Sequence, residues 1–308
     1  MGNLEQQTVI VIGVVAASLI GPALGVGSLV LRRRRARARR KTPLVDDLLR
    51  APGHTLREQL DDVTIDLQWD VFALAAIPLL TLAVFLAQGH LRSDLRAVMH
   101  LAPLTAIVVL AFIGLMVRKM WRAGERLDKL RAGLDAELAA GQELDQLMRE
   151  GAVVFHDVPA NDFNIDHVVV SREGVFAIET KGFTKPNGGR GKTNATVEFD
   201  GSILRFPTWV AKAPLEQAQR QAHWLATWLT RAIGAQIRVL PVLALPGWYV
   251  KRTGRGEVRV FSGGELKGLL KARGAQALST QDVQRVAHQL EQRCRTVEPM
   301  LSEGKRAA

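Results

Sequence analysis

The chain has a single cysteine, Cys294, in 308 residues. That excludes an intramolecular disulfide and any zinc cluster built on cysteines. Aromatic residues are scarce, at 6%. So small a supply disfavours an aromatic base-stacking platform of the single-strand-binding kind. Acidic residues are outnumbered, 30 Asp and Glu against 41 Lys and Arg, which leaves a formal charge of +11. Such a balance favours a polyanionic partner, either nucleic acid or an anionic lipid surface. Three stretches contain no ionisable residue: Thr8 to Leu31, Val71 to Ala87 and Leu101 to Val117. The absence of buried charge within them disfavours a transporter or channel.

The same three stretches are apolar enough to read as membrane spans. At about 1.5 Å per residue the first can cross a hydrocarbon core of about 30 Å, and the other two are near the short end of that range. Arg32, Arg33, Arg34, Arg35, Arg37, Arg39, Arg40 and Lys41 follow the first span, whereas Met1 to Gln7 carries no basic residue. A cleavable signal peptide has the reverse flanks. Arg118, Lys119 and Arg122 follow the third span. Three spans put both basic clusters on one side, which the positive-inside rule makes cytoplasmic. The expectation is a multi-pass protein of the cell (inner) membrane with its amino end outside. Between the first two spans, Leu44, Val45, Leu48 and Leu49 have helix-like spacing before a break at Pro52-Gly53. They predict an interfacial or partner-packing helix.

The soluble part reads as α/β. Two β-branched runs, Ile165 to Val170 and Val175 to Ile178, flank a short polar turn that ends in Gly174. That is a hairpin pattern. If Val170 pairs with Val175, Asp166 falls opposite Glu179. Directly opposed Cβ atoms are about 4.5–5.5 Å apart, where like charges destabilise unless they share a proton or a cation. Lys181, two residues past Glu179, points to the same face. Two carboxylates and an ammonium at the end of a hairpin suit hard cations such as Mg²⁺ or Mn²⁺. A structural ion-pair cluster is the alternative. Further on, Val197 to Phe199 and Ile203 to Phe206 flank Asp200-Gly201 as a second hairpin. Leu215 to Ile233 and Gln281 to Arg295 read as helices, and Arg238 to Leu245 and Val258 to Phe261 as strands. Trp224 and Trp228, four apart on a helix, read as core packing.

Asp166 followed by Glu179-Thr180-Lys181 resembles the D…(D/E)-x-K signature of the restriction-endonuclease-like nucleases. The strings Phe155-His156-Asp157-Val158-Pro159, Ile165-Asp166-His167-Val168-Val169-Val170 and Gly174-Val175-Phe176-Ala177-Ile178-Glu179-Thr180-Lys181 resemble, more narrowly, the nuclease-related domain called NERD. The likeness covers roughly residues 133–261. It implies a restriction-endonuclease-like core, a mixed sheet flanked by helices, with helix, three strands, helix and strand in that order. It also implies a divalent-metal-dependent nuclease. Asp166 and Glu179 would hold the ion, Lys181 would serve the attacking water, and Glu137, on a helical stretch before the first strand, would approach the metal. Gln217, at the start of the later helix, would be a supporting polar residue. For Glu137 and Gln217 an ordinary surface position is the alternative. His156 and His167 lack metal-ligand spacing, and strand alternation turns His167 away from Asp166.

The resulting division is a first anchor with its basic run over 1–41, a linker helix and transmembrane hairpin over 42–122, and the nuclease-like domain over 123–308. Pro186 to Thr193 imitates a phosphate-binding loop. The pattern needs Gly where Pro186 stands, and a helix should follow. Lys185, Arg190 and Lys192 are instead candidates for phosphate contacts. The expected partners are nucleic acid, DNA ahead of RNA, and membrane lipid, with a second copy of the chain or another protein left open. The rival reading is a non-catalytic nucleic-acid-binding or scaffold module that keeps the nuclease fold.

Overall fold

The structure is a computed structural model that describes residues 25, 28, 31–32, 44, 46–91, 95–185 and 195–299. The expected first span, most of the arginine run after it, Arg190 and Lys192 lie outside the described residues.

The elements run β1 (Leu48–Leu49), α1 (His54–Leu91), α2 (Leu95–Asp145), a 3₁₀ turn (Gln146–Glu150), β2 (Val153–Pro159), β3 (Asn164–Ser171) and β4 (Gly174–Thr180). They continue as β5 (Thr196–Phe199), β6 (Leu204–Arg205), β7 (Val210–Ala211), α3 (Ala213–Ile233), β8 (Val239–Leu245), β9 (Tyr249–Arg252), β10 (Arg259–Ser262), a second 3₁₀ stretch (Gly263–Lys271), α4 (Thr280–Cys294) and β11 (Arg295–Val297). Two compact units emerge. One contains Asp61–Leu127, and the other joins Val45–Leu60 to Asp128–Pro299.

In the first unit, the parts of α1 and α2 that hold Val71 to Ala87 and Leu101 to Val117 are apolar on every face. Leu79, Leu82, Val84, Ile107, Val108, Leu110 and Leu115 are all exposed. The most apolar windows of these two helices are 11% and 0% buried, so neither is the core helix of a soluble domain. Both are long and apolar enough to cross a membrane. Asp70 and Lys119, just outside the apolar stretches, form an ion pair at 2.6 Å.

The second unit is built on a five-stranded sheet in the order β10-β8-β4-β3-β2. The β2, β3 and β4 strands are antiparallel, and β8 joins β4 in parallel. That parallel step needs a crossover, which passes through β5, β6 and β7 of the small sheet β7-β6-β5-β9 and then α3, while β9 joins that sheet after β8. Helix α3 starts with Pro214 in its first turn and stops at Gly234, whose left-handed φ of 76° only glycine adopts freely. Its Ala222, Leu225 and Leu229 pack with Val286 and Leu290 of α4 on one face of the sheet, against Val168, Val170, Val175 and Ala177. The carboxyl end of α2 covers the other face with Ala140 and Leu144, against Val169, Phe176 and Ile178. Both faces are buried, so β4 is buried at every residue, as its unbroken apolar run requires.

The segment before α1 differs from the helix expected over Leu44 to Leu49. Leu48–Leu49 is a short strand paired with β11. Both leucines are exposed, so no apolar face is present to be served by a helix. The sequence-based domain start at 123 leaves this segment out, whereas the structure packs Val45–Leu60 into the same unit as the sheet.

Candidate active site

The hairpin register is the one expected: Val170 pairs with Val175, and the ladder reaches His167–Ile178. One step further along, Asp166 stands across from Glu179. The pairing gives way there because Asp166 Oδ2 accepts the Thr180 N–H at 2.6 Å. Glu179 is 2% exposed. Its Oε1 receives Lys181 Nζ at 2.6 Å, and its Oε2 receives Gln221 Nε2 at 2.6 Å.

Glu137 joins from α2 and is 8% exposed. The helix can approach because the residue after Lys181 is glycine: a Cβ on Gly182 would lie 2.2 Å from the Ala132 carbonyl oxygen. Burial, then the charges of Asp157 and Glu179, raise the Glu137 carboxyl from 4.5 to about 7, against the pull of Lys181 and of a hydrogen bond from the Gly53 backbone. The Asp166 carboxyl is raised well above the usual range by burial, then by Glu179 and Glu137, with the Thr180 N–H and Lys181 opposing. The centre therefore holds more carboxylate than one lysine can balance, and near neutral pH it retains protons that a cation would displace.

Of the expected site residues, Asp166, Glu179, Lys181 and Glu137 come together. Gln217 does not join them: it is half-buried and makes no hydrogen bond to the cluster among the described residues. Gln221, one turn later on the same face of α3, is 2% exposed and takes that place. Its Nε2 also donates to the Asn164 carbonyl at 3.2 Å, while its Oε1 is buried without a partner. The four-residue spacing on a helix that already carried Gln217 was the signal available for it. Lys185 is exposed at the end of the described stretch after β4.

The histidines form a separate pair on the opposite face of the sheet. His156 Nε2 meets Asp145 Oδ1 at 3.0 Å, and the two Nδ1 atoms are 2.9 Å apart. His167 is fully buried, and its Nε2 has no hydrogen-bond partner among the described residues. Burial and then His156 hold its pKa well below the usual value, which keeps the ring neutral. Trp224 and Trp228 are half-buried against the core, with parallel rings 6.1 Å apart and the Arg293 guanidinium about equally close to both, at 5.0 and 4.9 Å.

Among the described residues, no three His, Cys, Asp or Glu side chains stand close enough to hold a metal ion as a ready-made cage. A hard cation that keeps most of its waters needs only one or two carboxylates. Asp166 and Glu179, with raised carboxyls around them, fit that requirement.

No curated protein and no solved structure matches the chain. Residues 132–246, from the helix turn before Glu137 through the end of β8, match the family model of NERD, the nuclease-related domain.

Proposed function

We propose that this chain is a membrane-anchored, divalent-metal-dependent nuclease of the PD-(D/E)XK kind that hydrolyses phosphodiester bonds, with DNA the favoured substrate. The observation that carries this reading is the Asp166–Glu179–Lys181 cluster, with Glu137 beside it. A structural ion-pair cluster would be balanced. This one sets three carboxyl groups against one lysine, and two of them have raised pKa values, Glu137 at about 7.

Mg²⁺ or Mn²⁺, held by Asp166 and Glu179 with Glu137 nearby, would supply a water of lowered pKa and stabilise charge on a phosphoryl oxygen. The chain's own groups divide the remaining work. Lys181 is kept at the site by Glu179 and offers its ammonium to the negative charge that develops at phosphorus. Asp166 is aimed by the Thr180 N–H, which fixes one oxygen and leaves Oδ1 for a ligand. Gln221 locks the second Glu179 oxygen and presents its own unpartnered Oε1. Glu137, poised near neutrality, is suited to take or return a proton. The chain's charge of +11 and the exposed Lys185 favour the phosphate backbone in a salt-dependent, sequence-independent way.

The exposed apolar faces of α1 and α2 support the anchor. The basic residues after Val117 support a cytoplasmic nuclease domain in the inner membrane. A second reading, a binding or scaffold module without turnover, draws on the fact that both Glu179 oxygens already have protein partners. Purified full-length chain, incubated with labelled DNA and RNA in Mg²⁺, Mn²⁺ or EDTA, separates the two. Cleavage that needs metal and is lost in Asp166→Asn is the expected result. Binding without cleavage under every metal selects the module instead.

A further inference from the structure

The segment ahead of α1 lies outside the NERD match, yet it reaches the centre by two routes. It is first fixed to the domain at its own ends. Leu48–Leu49 pairs with Arg295–Val297, and the Arg50 N–H donates to the Cys294 carbonyl at 3.1 Å. Pro52 then rests on α2 at Gly141, where a Cβ would come within 2.9 Å of Pro52 Cγ. Gly53 has a φ of 67°, which strains any residue with a side chain, and a Cβ there would also press on the Leu134 side chain, 2.3 Å from Cδ1. That close seat is the first route: it delivers the Gly53 hydrogen bond to Glu137.

The second route runs through Asp157. This residue is 4% exposed and is the only non-glycine with positive φ among the described residues, at 49°. Its Oδ2 accepts Arg50 Nη1 at 2.8 Å, the Thr55 N–H at 3.2 Å and the Thr55 hydroxyl at 2.7 Å. Its Oδ1 accepts Asn164 Nδ2 at 3.2 Å, and the same amide reaches Thr55 Oγ1 at 2.5 Å. The Asn164 carbonyl in turn holds Gln221, which holds Glu179. An unbroken line of hydrogen bonds thus links Arg50 and Thr55 to the carboxylate opposite Asp166. The bonds from Arg50, Thr55 and Asn164 hold Asp157 in that left-handed conformation, of a kind that clusters at functional sites.

We propose that residues 46–60 are a working part of the nuclease centre, with Thr55 and Arg50 as positioning residues that set Glu179 through Asp157, Asn164 and Gln221. The inference rests on the nuclease reading. It makes the chain N-terminal to the apolar helices a component of the site rather than a tether.

The test uses the full chain in detergent and the variants Thr55→Val, Thr55→Ser and Arg50→Met. Three quantities are read: Mn²⁺ affinity by titration calorimetry, kcat and KM on a labelled oligonucleotide, and the unfolding midpoint. Groups that orient metal-binding side chains typically cost 10–100-fold in affinity or activity when lost, so Thr55→Val and Arg50→Met are expected to lower Mn²⁺ affinity and kcat by about that factor. KM for the oligonucleotide should hold, and Thr55→Ser, which keeps the hydroxyl, should retain wild-type values. If Arg50→Met does not fold, Thr55→Val decides alone, since it removes one hydroxyl at constant shape. Wild-type Mn²⁺ affinity and kcat in a folded Thr55→Val overturn the inference and leave the nuclease reading standing. A wild-type chain that neither binds Mn²⁺ nor cleaves overturns both.

Discussion

Glu137→Gln should make the protein more stable at pH 8 when no divalent cation is present. In the folded chain the Glu137 carboxyl is raised from 4.5 to about 7. A carboxyl raised on folding takes up a proton as the chain folds. Its contribution is therefore intact below about pH 4.5 and is lost as pH rises through about 7. The full difference, at about 1.4 kcal/mol per pH unit, is about 3 kcal/mol. Glu137 interacts with Asp166, which keeps part of the repulsion after substitution, so about 2 kcal/mol is the expected gain. Glutamine keeps an oxygen for the Gly53 hydrogen bond, so little else changes. For a domain of about 150–250 residues that gain raises the midpoint by about 4–8 °C. The assay is thermal unfolding of the full chain in detergent, followed by tryptophan fluorescence at pH 4.5 and pH 8, in EDTA and in Mg²⁺. At pH 4.5 the two chains should coincide. In saturating Mg²⁺ the advantage of the variant should shrink, since a cation held by Asp166 and Glu179 offsets the repulsion that Glu137 adds in the wild type. A Glu137→Gln chain no more stable than wild type at pH 8 in EDTA would refute the electrostatic account of the centre.

Lys181→Met should abolish cleavage and also cost about 1–3 kcal/mol, because it strips a buried carboxylate of its partner; the partly exposed lysine keeps the loss below that of a fully buried pair. The double variant Glu179→Gln/Lys181→Met should recover that stability in urea unfolding but no activity, and a double variant as unstable as the single one contradicts the pairing. Gln221→Leu leaves the Glu179 oxygen and the Asn164 carbonyl bare, so it should cost about 1–3 kcal/mol and lower kcat, while Gln217→Ala should leave both near wild type. Equal effects of the two glutamines would show that the helix is placed differently. For topology, a cysteine introduced at Gln7 should react with an impermeant maleimide on intact cells and one at Ser302 should not; the opposite pattern inverts the arrangement. Cys294 need not be replaced first, since it is 1% exposed and burial pushes its thiol up to about 12.

The centre was legible in the sequence where its geometry is local. A hairpin with a short turn has one register that buries both apolar runs, so placing Asp166 across from Glu179 followed from Val170 and Val175 alone. Glu179 and Lys181 share a face by strand alternation, and the structure joins them. Helix periodicity was less decisive. Gln217 and Gln221 lie on one face of α3, and which of them meets Glu179 depends on how far the helix slides along the sheet. That is fixed by packing of Ala222, Leu225 and Leu229, not by spacing.

The segment over 46–60 was not legible, for a physical reason. Its partners are distant in sequence: Arg50 meets Asp157 and Thr296, and Leu48 meets Val297. Leu48 and Leu49 have the spacing of an apolar helix face but stay exposed, so their hydrophobicity carried no information about the β1–β11 pairing. The burial of Asp157 has no local signal either, because the groups that satisfy it come from a segment about a hundred residues earlier. Its φ of 49° turns it from the ladder, and three donors from Arg50 and Thr55 make its burial tolerable. An uncompensated carboxylate at that place would be expelled or protonated. The segment and the aspartate therefore require each other, and a chain cut at 123 would leave Asp157 without Arg50 and Thr55, and Glu137 without Gly53.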